Sequence, residues 1–199
     1  MRQSELDKDY FVHPTAEVAS DAVIGEGTYI WHQCQVMSKV RVGRNCKLGK
    51  AVYVDLGVQI GDRVKIQNGI SVYKGVTIED DVLLGPHMAF TNDLYPRAFN
   101  DQYEIVPTLV KNGASVGANA TIVCGVVLGS YCMVGAGAVV TTDVPEHALV
   151  VGNPASVVGY VCQCGSRLNM DYKRRRNKEV KCDRCSKQFR IEPGAVSVI

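Results

Sequence analysis

Four cysteines crowd the last quarter of this 199-residue chain in two close pairs, Cys162-Gln163-Cys164-Gly165 and Cys182-Asp183-Arg184-Cys185, seventeen residues apart. Two thiolate pairs at that spacing suit a tetrahedral structural zinc, and Gly165 eases the tight turn a knuckle makes around its sulfurs. The single residue inside the first pair departs from the usual ribbon, so a metal-free remnant is the alternative. Lys173, Arg174, Arg175, Arg176 and Lys178 lie between the pairs. A solvated hairpin tip is favoured for them over a nucleic-acid contact or attraction of substrate phosphates. The chain has four histidines, His13, His32, His87 and His147. Only His87 is close to the polar, aromatic stretch from Thr91 to Tyr103; it reads equally as an ordinary surface residue or a ligand contact, and is the general base of a runner-up mechanism. Within that stretch Arg97 carries the fork that pairs with a carboxylate or phosphate, and Lys65 offers the same attraction as a point charge.

The elements that position these groups are legible from one period. From Val12 to Phe90, and again from Val110 to Val140, every sixth residue is aliphatic or aromatic. Neither the 3.6-residue period of a helix nor the two-residue period of a half-buried strand fits; a hexapeptide repeat wound as a parallel β-helix does. Three hexads make a coil, and the twenty teeth predict nearly seven coils, a prism about 30 Å tall. The residue four after each tooth (Cys34, Val40, Cys46) also points inward, and those at two, three and five face out. Glycine follows the tooth at 25, 43, 49, 61, 85, 117, 129 and 135. That position is expected to be a corner whose backbone angles favour glycine. A step of twenty residues from Phe90 to Val110 breaks the comb, predicting an excursion loop of functional importance. The expected organisation is a β-helix over residues 1–160 and a four-cysteine segment over 161–199.

Composition narrows the class. A net charge of +2 asks for neither nucleic acid nor an anionic membrane, and no segment has the apolar length of a signal peptide or a membrane span. A cytoplasmic location is the default expectation. Cys34, Cys46 and Cys132 occupy inward positions and read as small buried apolar residues.

The hexads resemble the left-handed β-helix acyltransferases, which implies a left-handed helix against the general right-handed crossover rule. The run from Thr141 to Ala155, with Asp143-Val144-Pro145 and Val151-Gly152-Asn153-Pro154-Ala155, closely resembles the exit segment of hexapeptide acetyltransferases that use acetyl-CoA. Val64–Tyr73, Gly85-Pro86, Phe90-Thr91-Asn92 and Pro96-Arg97-Ala98 look like nucleotide-sugar N-acetyltransferases. The nearest group acetylates the 3-amino group of a UDP-linked 2-acetamido-3-amino-2,3-dideoxyuronate, a precursor of bacterial surface polysaccharide such as O-antigen. A dTDP-3-amino-3,6-dideoxyhexose is the alternative acceptor.

That resemblance implies roles residue by residue. Asn92 faces the acceptor amine; its amide oxygen accepts a hydrogen bond and aims the nitrogen lone pair at the thioester, while the departing thiolate finally takes the proton. The Ala118 N–H serves the oxyanion, Ala136 meets the pantetheine arm, and Thr141 and Pro154 lie near the distal part of coenzyme A. Lys65, Gln67, Asn68, Tyr73, Tyr95 and Arg97 are the sugar-nucleotide candidates. The family packs three prisms about a threefold axis with sites between subunits, so a homotrimer is expected. Two rivals share the scaffold. A γ-type carbonic anhydrase needs three interfacial histidines, and this chain's are scattered in sequence. A non-catalytic scaffold needs neither the loop nor the exit segment.

Overall fold

The computed structural model describes residues 9–100, 104–169, 178–192 and 195–199. Lys173 to Arg176 of the basic run, and Gln102 and Tyr103 of the excursion, lie outside them. Two-residue strands stack in parallel on partners 18 residues away, as Phe11↔Tyr29, Tyr29↔Lys47 and Lys47↔Lys65 show. Three hexads therefore complete one coil, and the coils build three flat faces. Face A runs through eight parallel strands from Phe11–Val12 to Ala148–Val151, and the antiparallel strand Ser156–Tyr160 closes it. Face B holds the strands from Glu17–Val18 to Ser71–Val72, then, after an interruption of the ladder, Ala89–Phe90, Thr121–Ile122 and Val139–Val140. Face C runs from Val23–Ile24 to Val127–Leu128. The fold is a left-handed parallel β-helix. The crossover rule depends on the twist of longer strands, and two-residue strands carry little of it.

Teeth and residues four after them fill the prism: Ile30, Leu48, Ile66, Leu84, Ile122 and Leu128 are fully buried, and Cys34, Cys46 and Cys132 are buried among them. Burial pushes the Cys132 thiol up to about 12, as suits an inert apolar filler. Thr28, also inward, keeps both hydroxyl functions satisfied: Oγ1 donates to Gly43 O at 2.8 Å and accepts from Cys46 N at 3.0 Å.

The expected reason for glycine after each tooth is corrected. The left-handed backbone falls three residues after the tooth, at Gln33, Lys39, Asn45, Ala51, Arg63, His87 and Asn119, with φ between 56° and 60°. Glycines directly after a tooth have no positive φ; they are required because neighbouring coils touch there. A Cβ on Gly85 would lie 2.7 Å from Ala118 N and Val116 O, and one on Gly129 2.6 Å from Glu146 N. The excursion interrupts the ladder at one corner only. Register across it changes from 18 to 32, as Ile78↔Val110 and Leu84↔Val116 show. Fourteen residues are thus inserted at a single corner. The helix also continues past Val140, since Val144 bridges Leu128 and Leu149 pairs with Met133.

Candidate active site

Wherever the residue two after the tooth is not proline, its backbone N–H has no partner in the ladder among the described residues. In several coils a side chain of the next coil caps it: Asp62 Oδ1 accepts from Arg44 N at 2.7 Å, Asn68 Oδ1 from Lys50 N at 2.9 Å and Asp80 Oδ1 from Asp62 N at 2.8 Å. The Asp62 carboxyl is held below its usual range by that Arg44 N–H and then by the Arg44 guanidinium. On edge A/B the pattern ends. The corner residues there are Pro86, Ala118 and Ala136, followed by Gly152, none of which has a side-chain acceptor, and among the described residues Ala118 and Ala136 donate no hydrogen bond. The Ala118 carbonyl alone is used, by Gly137 N at 2.8 Å. The result is a strip walled by small residues and bearing free donors, suited to a slim thioester arm and its oxyanion. Pro154 adjoins the foot of this strip, since the Ala155 N–H donates to Val139 O on face B.

Higher on the same edge a groove of about 390 Å³ is lined by Trp31, His32, Lys47, Lys50, Lys65, Gln67 and Asn68. Three of the sugar-nucleotide candidates, Lys65, Gln67 and Asn68, line it together, although Asn68 Oδ1 is occupied by the Lys50 cap. Trp31, His32, Lys47 and Lys50 were missed by sequence reasoning. The 18-residue register was the available signal, because it sets Lys47 beside Lys65 and Lys50 beside Asn68. Among the described residues none of the three lysines has a carboxylate partner. Trp31 is 41% exposed and stacks at 6.2 Å on His32, which also stacks at 3.6 Å on His13. Burial and the neighbouring His32 hold His13 below its usual value. His87 stands exposed on this edge, above Gly69, one coil from Asn68.

The excursion leaves from edge B/C, at the opposite corner of face B. Its base is pinned by three contacts: Thr91 Oγ1 accepts from Cys124 N at 2.9 Å, Asn92 O accepts from Val106 N at 3.2 Å, and Thr108 N donates to Gly75 O at 3.0 Å. Cys124 was not singled out in the sequence; it holds an outward position, yet the loop base leaves it 3% exposed. Asn92 is half-buried, and among the described residues its side-chain amide has no hydrogen-bond partner. Tyr95 is 80% exposed, and Arg97 Nη1 donates to its neighbour's carbonyl, Pro96 O, at 2.7 Å. Tyr73 and Thr141 also lie on edge B/C. The expected residues therefore fall into two sets, one on each side of face B. His87 and Asn92 are separated by a face of roughly 16 Å.

The third edge, C/A, carries none of the residues expected to serve acyl transfer. Arg63 forks onto Asp81 at 2.7 and 2.8 Å and holds that carboxyl below its usual range. Lower down, Tyr131 stacks at 5.4 Å on His147, which in turn meets Phe189 of the tail edge-on at 5.3 Å. Burial holds His147 below its ordinary value. The four tail cysteines come together, every Sγ lying within 4.8 Å of the others, and they are the one cluster of three or more metal-ligating groups among the described residues.

A left-handed β-helix with an excursion loop and a strip of free corner amides defines an acyltransferase of the hexapeptide class. Comparison with known proteins agrees. The model described as bacterial transferase hexapeptide (six repeats) matches residues 8–55 and 107–142, and that of the hexapeptide repeat of succinyl-transferase matches 39–74. The dTDP-3-amino-3,6-dideoxy-alpha-D-galactopyranose 3-N-acetyltransferase of Aneurinibacillus thermoaerophilus is 42% identical over 194 residues, covering 98% of this chain and 97% of that protein. A hexapeptide-repeat acetyltransferase of Vibrio cholerae O1 biovar eltor, solved with acetyl coenzyme A, superposes with a TM-score of 0.56 at 26% identity, over 61% of this chain and 70% of that one. A galactoside acetyltransferase solved with coenzyme A gives the same score and identity over 61% and 64%. This chain belongs to the hexapeptide-repeat acetyltransferase family and is an acetyl-CoA-dependent enzyme of it.

Proposed function

We propose that the protein transfers the acetyl group of acetyl-CoA to the 3-amino group of a nucleotide-linked amino sugar, with a dTDP-3-amino-3,6-dideoxyhexose as acceptor. The observation that carries the nucleotide is the edge A/B groove. Three unpaired lysines converge there beside a half-exposed indole, an arrangement that attracts a diphosphate and stacks a pyrimidine base. The 42% identical relative, whose name specifies a thymidine nucleotide, supports that base. The UDP-linked uronate is the second reading. It rests on the resemblance of the segments Val64–Tyr73, Phe90-Thr91-Asn92 and Pro96-Arg97-Ala98; its carboxylate would call on Arg97, whose guanidinium is turned onto Pro96 O.

In the reaction, the Ala118 N–H stabilises the oxyanion of the tetrahedral intermediate and Ala136 guides the pantetheine arm, with Pro154 at its foot and Thr141 on the neighbouring edge. Asn92 accepts a hydrogen bond from the acceptor amine through its unpaired amide and directs the lone pair at the thioester carbon. The C–S bond breaks, and the coenzyme A thiolate takes the amine's proton. His87 is the competing base, on the far side of face B. Two residue sets at opposite corners of one face do not meet within one chain. A cyclic homotrimer, which sets one copy's edge A/B against the next copy's edge B/C, supplies the meeting and gives three equivalent sites. The cytoplasm, where both substrates are made, is the compartment this function requires, and surface-polysaccharide assembly is the use of the product.

The test is release of free coenzyme A thiol across a panel of thymidine- and uridine-linked 3-amino sugars. Turnover restricted to thymidine-linked hexoses supports the first reading, and turnover restricted to the uridine-linked uronate supports the second. No thiol release with any amino sugar refutes both.

A further inference from the structure

We propose that Cys162, Cys164, Cys182 and Cys185 bind one zinc ion as thiolates, and that this ion fastens the C-terminal ribbon against edge C/A of the prism. Sulfur spacing is the first ground. Cys162 Sγ lies 3.4 Å from Cys185 Sγ, and Cys164 Sγ lies 3.7 Å from Cys182 Sγ. A disulfide needs about 2.05 Å. Four sulfurs held about 2.3 Å from a central zinc stand about 3.8 Å from one another. Both close pairs join cysteines from different turns, so the four sulfurs surround one point.

The turns are built alike. Gly165 N donates to Cys162 O at 2.8 Å and Ser186 N to Cys182 O at 2.9 Å, and both donors sit in left-handed backbone at φ of 82° and 62°. Cys162 N donates to Ser166 O and Cys182 N to Lys187 O, each at 2.8 Å. Four thiols become four thiolates on binding, and their protons leave to solvent. Four sulfur ligands fill a tetrahedral zinc and leave no open position, so the ion is structural.

The ribbon has little apolar core of its own: Leu168, Val180, Phe189 and Val196 pack around the buried Cys162 and Cys182. It reaches the prism through His147, whose Nδ1 hydrogen-bonds to Val161 O at 2.9 Å while its backbone carbonyl accepts from Val161 N at 2.8 Å. The residue next to the first ligand is thereby tied to the last coil. The site lies on the edge that carries neither the amide strip nor the loop.

The experiment is metal analysis of the purified full chain, followed by mercurial titration of the thiols and by replacement with cobalt(II). The expected result is about one zinc ion per chain, released in step with thiol modification, and a cobalt derivative with the intense visible bands of tetrahedral thiolate ligation. Cys164→Ser and Cys182→Ser should lose the metal and expose the segment after Tyr160 to protease, while acetyl-CoA still raises the melting temperature. Should these variants prove insoluble, mercurial release from the unaltered chain with the same protease readout replaces them. Bound iron, a mass lower by four hydrogens from two disulfides, or metal retained in both variants would overturn the proposal.

Discussion

Replacing Lys47 by alanine should move stability and nucleotide binding in opposite directions. Lys47 and Lys65 are directly paired on adjacent strands about 4.8 Å apart, and no described carboxylate neutralises either. Like charges directly opposite on a sheet repel, by about 1 kcal/mol or less at this exposure. Lys47→Ala should therefore leave the melting temperature of the free protein unchanged or raise it by a few degrees. A charge-assisted hydrogen bond to a diphosphate is worth about 1.5–3 kcal/mol. The dissociation constant for dTDP, and KM for the sugar nucleotide, should then rise roughly 10- to 150-fold. Turnover at saturation and KM for acetyl-CoA should stay within about twofold. Trp31 is the one tryptophan in the chain and lines the same groove, so its fluorescence reports occupancy directly. Titration with dTDP should quench it in the native protein at low concentration and in Lys47→Ala only at much higher concentration, the gap narrowing as salt is added. An unchanged dTDP affinity, or a lower melting temperature without ligand, would refute the placement of the diphosphate between these lysines.

Asn92→Ala should cut kcat by about 10–100-fold, from one lost hydrogen bond and looser orientation of the amine. Because the amide has no partner in the fold, melting temperature and acetyl-CoA affinity should hold, and a wild-type rate in steady-state assays would remove its role. Gly129→Ala should destabilise by about 3 kcal/mol, since its Cβ would strike backbone of the next coil, whereas Gly57→Ala should cost only about 1–2 kcal/mol. Gly57 has φ of 72° with open space around it, and Ala51 already occupies an equivalent corner; urea unfolding compares the pair. Acid should also act through edge C/A. Arg44 holds Asp62, and Arg63 holds Asp81, below the usual carboxylate value. Their stabilisation is complete above the unfolded pKa of about 4 and disappears as pH falls through the folded values. Melting temperature should thus drop below about pH 4, less steeply in Asp81→Asn than in the native protein.

The prism itself was legible because burial along a solenoid is a one-dimensional property: a tooth every six residues needs no partner chosen from elsewhere in the chain. The excursion and the two cysteine turns were legible for a related reason, one as a lapse in the period and the other as ligand types at knuckle spacing. Glycine after the tooth was visible, but its cause was not, because a clash of 2.6 Å between Gly129 and Glu146 exists only once coils are stacked. Coil-to-coil register also decided what no local window contains: that Lys47 and Lys50 join Lys65 under Trp31, that the Ala118 and Ala136 amides lose the caps found higher up, and that Asn92 and His87 stand at opposite corners of one face. Periodicity tells each residue whether it points in or out. Which outward residues become neighbours depends on where the chain returns after three corners, and the fourteen-residue insertion changes that count from 18 to 32 for the one step that spans it, setting Phe90 beside Ile122.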